Sequence, residues 1–115
     1  MIQSPSIGFL VKQLQKMQDE ISKIKQELVK MKVTGSAGGG MLVATANGRQ
    51  QIVDIKIDPE LIRSQDVEML EELIVVAVNQ ALERSHELES EHLSKATGNV
   101  LNALPGGLKI PGLDI

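Results

Sequence analysis

Two histidines, a cluster of glycines and a row of lysines are the residues of this chain whose types and spacing bear on chemistry. His86 and His92 lie six residues apart. On a helix that spacing puts them on different faces, unlike the i, i+4 histidine pair of a zinc protease. Glu89-Ser90-Glu91-His92 contains a Glu-x-x-His, a ligand spacing used by di-iron bundles. Those sites need two such motifs and two further glutamates from facing helices. The segment therefore reads as a solvated, charged helix face, with no metal. There is no cysteine, so thiolate catalysis, disulfides and cysteine-bound zinc are excluded. No Gly-x-Ser-x-Gly nucleophile elbow occurs either.

The stretch TGSAGGGMLVATANG, Thr34 to Gly48, resembles a phosphate loop at first sight. Gly35 and Gly40 have the separation of the two P-loop glycines, but Met41-Leu42 follows where Lys-Ser/Thr is required. A strand pattern then follows instead of a helix, which also excludes the dinucleotide fingerprint. The glycines are better explained as turn and close-packing residues. The chain is expected to be no enzyme, to hold no cofactor and to take no small-molecule substrate.

The lysines point elsewhere. Residues 1–35 carry six lysines against three acids, a net +3, whereas residues 58–95 carry ten acids against three bases, a net −7. The overall charge of −3 disfavours a strong general nucleic-acid binder, but the basic segment is local. Lys16, Lys23 and Lys30 fall on one heptad position, successive members being about 10.5 Å apart along a helix. Lys12 occupies a neighbouring position, and Lys25 and Lys32 share another. Such a row can follow a phosphate backbone without reading bases. Asp19, Glu20 and Glu27 also stand three or four residues from Lys23 or Lys30, so ordinary solvated ion pairs are the competing explanation.

The element that would carry these lysines is a long helix. Ile7, Leu10, Leu14, Met17, Ile21, Ile24, Leu28 and Met31 repeat at alternating steps of three and four. That narrow apolar stripe matches a coiled-coil seam facing another helix, in this chain or another. Ser4-Pro5-Ser6 supplies a start signal. Phe9 is the one aromatic residue, so the core must be aliphatic, which favours helix packing and burial between subunits.

A three-stranded antiparallel meander follows. Gly38-Gly39 and Asn47-Gly48 read as two-residue turns. They would set Gly35 against Leu42, Val33 against Ala44, Leu42 against Val53 and Val43 against Ile52. The inward face then holds Met31, Val33, Gly35, Leu42, Ala44, Ala46, Val53, Ile55 and Ile57. Met41, Val43 and Ile52 cluster on the other face, where they suggest a partner surface. Asp58-Pro59 caps a short helical turn. A second long helix is expected from about Gln65, capped by Ser64, to Ala96, with Gly98 as its stop. Leu73 to Val78, LIVVAV, should be its most buried part. The expected division is one α+β domain over residues 1–98 and a Pro/Gly-rich tail over 99–115. No segment has the length of a membrane span. The start of the chain lacks the basic region and cleavage site of a secretory signal, so a cytoplasmic, soluble protein is expected.

This order of elements resembles the YbaB/EbfC family of bacterial nucleoid-associated proteins. The residues carrying the resemblance are Gly35, Gly38, Gly40, Asn47-Gly48 and the run Val53 to Leu61, VDIKIDPEL. Met69 to Leu73, Val78 to Ala81 and the tail Leu104-Pro105-Gly106-Gly107 also fit. Ala44 and Ala46 depart from it, standing where larger strand formers are usual. The resemblance implies an α-β-β-β-α fold and a tweezers-like homodimer joined through its sheet regions. It also implies DNA binding with little sequence preference, a place in the nucleoid and no catalysis. It carries over no DNA-contact residues. Charge and periodicity nominate Lys12, Lys16, Lys23, Lys25 and Lys30 for DNA phosphates, and the apolar cluster nominates Met41, Val43 and Ile52 for the dimer interface. Two alternatives stay open. A prefoldin-like chaperone would want regular heptads in both helices, and a protein-only scaffold would use the Met41 cluster or the apolar tail.

Overall fold

The computed structural model describes residues 5–102 of the 115-residue chain, and the side chains of residues 7–98. The element order is α1 (Pro5–Lys30), β1 (Lys32–Ala37), β2 (Leu42–Asn47), β3 (Ile52–Ile57), α2 (Pro59–Arg63) and α3 (Val67–Asn102). The α-β-β-β-α order expected from the sequence is the one found. Two compact units are formed, one by Lys25–Ser90 and the other by Met1–Ile24 with Glu91–Ile115. The Ser4 cap and residues 103–115 of the tail lie outside the described residues.

The strands form one antiparallel sheet in the order β1-β2-β3. Its registers differ from those expected. Gly35 pairs with Ala44 and Ala37 with Leu42, because the first turn spans four residues, Gly38 to Met41, rather than two. Gly38, Gly39 and Gly40 all take positive φ, between 63° and 92°, which three residues with side chains would resist. The shift is by two residues, so each β1 side chain keeps its expected face.

The second turn departs further. Leu42 pairs with Ile57 and Val43 with Lys56, and a bulge at Thr45/Ala46 leaves Ala46 opposite Ile52. Asn47-Gly48 does not close a two-residue hairpin. The buried Asn47 side chain organises a longer turn instead, its Oδ1 accepting from Arg49 N at 2.9 Å and Gln51 N at 3.2 Å. Gly48 N donates to Leu28 O at 2.8 Å, closing off the end of α1. Asn47 thus uses its capacity to turn the backbone through its own side chain, and the extra length is absorbed by the bulge.

The core lies between the inner sheet face, α2 and α3. Ala37, Leu42, Ala44, Ala46, Leu61, Ala77 and Ala81 are its buried members. The alanines let α3 come close, and Gly35 sits at the closest approach. A side chain there would run into the backbone at Ala77 O and Ala81 N. The small residues at 44 and 46 therefore belong to the same contact layer. LIVVAV is not buried all round. Ala77 is fully buried, Leu73, Ile74 and Val78 are half-buried, and Val75 and Val76 remain 58% and 55% exposed. A helix laid on one side of a sheet buries one stripe, whatever the hydropathy of its other side.

The helix ends follow local chemistry. Asp58 Oδ1 accepts from Glu60 N at 2.9 Å at the start of α2, with Pro59 in the first position, as expected. Ser64 caps the end of α2 instead of starting α3. Asp66 takes the starting role, accepting from Met69 N at 3.0 Å. Gly98 does not stop α3, which continues to Asn102. A single helical glycine costs only about 1 kcal/mol relative to alanine, which a long helix can carry.

Candidate nucleic-acid interface

One helix, α1, carries all five nominated lysines, and Lys12, Lys16, Lys23, Lys25 and Lys30 are all exposed. Its sequence explains why. The apolar stripe leaves the remaining positions free for polar residues, and lysine is a good helix former. The stripe itself grades along its length. Ile7, Leu10 and Leu14 are exposed, Met17, Ile21 and Ile24 are half-buried, and Leu28 is fully buried. Lys32 belongs to β1 and so leaves the helical row.

The ion pairs allowed by the spacing of Asp19, Glu20 and Glu27 do not form. Among the described residues, Arg63 pairs with Glu60 at 3.0 Å and Lys95 with Glu91 at 3.2 Å. Neither uses a lysine of α1. Exposed pairs gain little in water and cost side-chain freedom, so the ammonium groups stay solvated. A solvated ammonium is the form that exchanges counterions with a phosphate chain.

The acidic counterpart is α3. Glu68, Glu71 and Glu72 border its exposed Val75 and Val76, and Glu83 and Glu87 are exposed further along. Glu89 is engaged, its Oε1 accepting from Gln50 Nε2 at 3.3 Å. These carboxylates give that stretch of α3 a negative surface.

The nominated sheet residues separate. Met41 is exposed in the first turn, and Val43 is half-buried on the outer face. Ile52 is not on that face. The bulge turns it toward the core, against which it packs. Val53 takes its place beside Val43, among Val29, Lys32, Lys56 and Asp54 on a concave outer surface.

Ser85 is the residue that sequence reading missed. It is fully buried. Its Oγ donates to Asn47 O at 2.6 Å and accepts from Gln50 N at 2.7 Å, tying α3 to the second turn. The signal was a serine four residues beyond Ala81, on the same helical stripe as Ala77 and Ala81.

These features define a class: a small α+β scaffold with a solvated cationic helix at one end of the chain and an acidic helix at the other. The chain belongs to the YbaB/EbfC DNA-binding family, whose sequence profile matches residues 4–100. It is 44% identical to a nucleoid-associated protein of Caldanaerobacter subterraneus subsp. tengcongensis, over 94% of this chain and 90% of that one. It is 48% identical to a nucleoid-associated protein of Moorella thermoacetica, over 84% of this chain and 91% of that one. In structure it is similar to an uncharacterized protein of Helicobacter pylori. That crystal structure superposes with a TM-score of 0.59 at 27% identity, covering 68% of this chain and 90% of the other.

Proposed function

We propose that this protein is a nucleoid-associated DNA-binding protein. It acts as a homodimer, joined through its sheet region, and holds DNA by the phosphate backbone with little regard for sequence. Lys12, Lys16, Lys23, Lys25 and Lys30 of α1 face the phosphates, and the acidic α3 limits where DNA can dock. Its place is the cytoplasm, on the nucleoid, where it contributes to nucleoid organisation and gene regulation. It carries no catalytic activity.

The observation that carries this reading is a row of exposed lysines on one helix, none of them ion-paired, in a chain of a DNA-binding family. No helix among the described residues is long and apolar enough to cross a membrane.

A gel-shift titration at two salt concentrations tests it. Binding should weaken steeply with salt, and the K16Q/K23Q/K30Q variant should flatten the log–log slope by about three for each α1 engaged. Unchanged affinity and slope in that variant would remove α1 as the DNA face.

A further inference from the structure

Asn47-Gly48 is the one Asn-Gly pair of the chain, and the other asparagines, Asn79, Asn99 and Asn102, precede Gln, Val and Ala. An asparagine before glycine carries a chemistry of its own. The glycine's backbone nitrogen, unshielded by any Cβ, can attack the asparagine Cγ. The N–Cγ bond forms, the Cγ–Nδ2 bond breaks, and Nδ2 leaves as ammonia with the glycine's amide proton. Water then opens the five-membered succinimide at either carbonyl, giving aspartate or isoaspartate.

The structure occupies each group that this step would use. Gly48 N donates to Leu28 O at 2.8 Å, so the nucleophile is turned toward the end of α1. Asn47 Oδ1 accepts from Arg49 N and Gln51 N, and Nδ2 donates to Gln51 Oε1 at 2.8 Å. The backbone of Asn47 is held as well, N donating to Gln51 O at 2.9 Å and O accepting from Ser85 Oγ at 2.6 Å. Both residues are buried. Packing explains why so labile a pair stands here. Asn47 shapes the turn through its side chain, and a Cβ at Gly48 would run into the backbone of Leu28.

We propose that Asn47-Gly48 is a modification site, a self-deamidating pair that the fold keeps shut and that reacts when the second turn releases α1. Ring closure requires Gly48 N to leave Leu28 O and the Asn47 side chain to leave its three partners. The rate is therefore the intrinsic rate multiplied by the fraction of molecules in which the turn is open. The change is one-way. Isoaspartate inserts a methylene into the backbone where β2 enters the turn, which shifts Gly48 N from Leu28 O. Aspartate replaces the Nδ2 donor with an oxygen set against Gln51 Oε1. Either product leaves the end of α1, beside Lys30, less firmly tied to the sheet. A passing opening of the turn thus becomes a permanent mark. This inference does not depend on the DNA-binding reading.

Peptide mapping by mass spectrometry of the full chain, incubated at mildly alkaline pH, follows each asparagine separately. In guanidinium chloride Asn47 should convert ahead of Asn79, Asn99 and Asn102. In the folded chain it should convert at least about tenfold more slowly than in the denatured one, the factor for an opening cost of about 1.4 kcal/mol. Ser85→Ala frees Asn47 O and Gln50 N and should speed the folded-state reaction by about tenfold. Gln51→Ala, at an exposed position, frees Nδ2 alone and should speed it by about fivefold, whether or not Ser85→Ala folds. Leu61→Ala lowers stability from the buried side of α2, outside the turn, and should leave the rate unchanged.

A folded chain that deamidates as fast as the denatured one overturns the protection. Acceleration in Leu61→Ala that matches its loss of stability would show that the reaction waits for global unfolding, and it would overturn release at the turn. Wild-type rates in Gln51→Ala and in a folded Ser85→Ala would overturn it too.

Discussion

The two long helices use small and charged residues for opposite ends. In α3 the stripe Ala77, Ala81, Ser85 is buried completely, and the helix is pressed against the sheet by residues with almost no side chain. In α1 the lysines stay exposed, and burial of the apolar stripe rises only toward Leu28. One helix is therefore specified by close backbone approach and hydrogen bonds, the other by what it leaves in water. Stability should respond to changes in the first and DNA binding to changes in the second.

The strongest test is Gly35→Val. Its branches would meet the backbone of α3 at Ala77 and Ala81, and neither backbone can rotate away as a side chain would. Overpacking of this kind should cost about 3 kcal/mol or more, a fall of roughly 10 °C or more in the thermal midpoint. A variant that melts like the wild type would mean that α3 does not rest on the sheet through this contact. The close approach that defines its half of the comparison would then be lost.

Ser85→Ala probes the same helix more gently. It deletes the donor to Asn47 O and the acceptor for Gln50 N at a fully buried position. Leaving those groups unpaired should destabilise by about 1–3 kcal/mol, read from chemical denaturation. The loss should come without a change in the salt dependence of DNA binding. A change in that slope would show that the second turn, and not α1 alone, governs the DNA face.

How far these features could be read from the sequence varies with their range. The helix α1, the Asp58-Pro59 start of α2 and the order of elements depend on local pattern, and each appears as expected. The registers do not, because they depend on which group satisfies Asn47. An Asn-Gly pair favours a two-residue turn when isolated. Here Leu28 O binds Gly48 N and Ser85 binds Gln50 N, and neither partner is close in sequence. The bulge that follows moves Ile52 inward and Val53 outward, an exchange that no alternation rule can foresee. The same limit applies to LIVVAV, where hydropathy gives the composition of a segment but not how many sides of it are covered. For the candidate interface, exposure of the lysines follows from their places outside the apolar stripe, whereas their freedom from Asp19, Glu20 and Glu27 does not. Spacing allows those pairs, and solvation decides against them.

The smallest expected effect on stability is also the one that separates the helices most sharply. Lys16, Lys23 and Lys30 are exposed and belong to no ion pair among the described residues. Changing them to glutamine keeps a straight, helix-compatible side chain. Thermal and chemical unfolding of K16Q/K23Q/K30Q should therefore match the wild type within about 0.5 kcal/mol. The same three changes are expected to lower the salt slope of DNA binding. A marked loss of stability would mean that the lysine stems pack against apolar surface, and a binding defect could then no longer be assigned to charge. Unchanged stability beside a flattened slope would locate the function of α1 in its solvated cations, as the contrast with α3 requires.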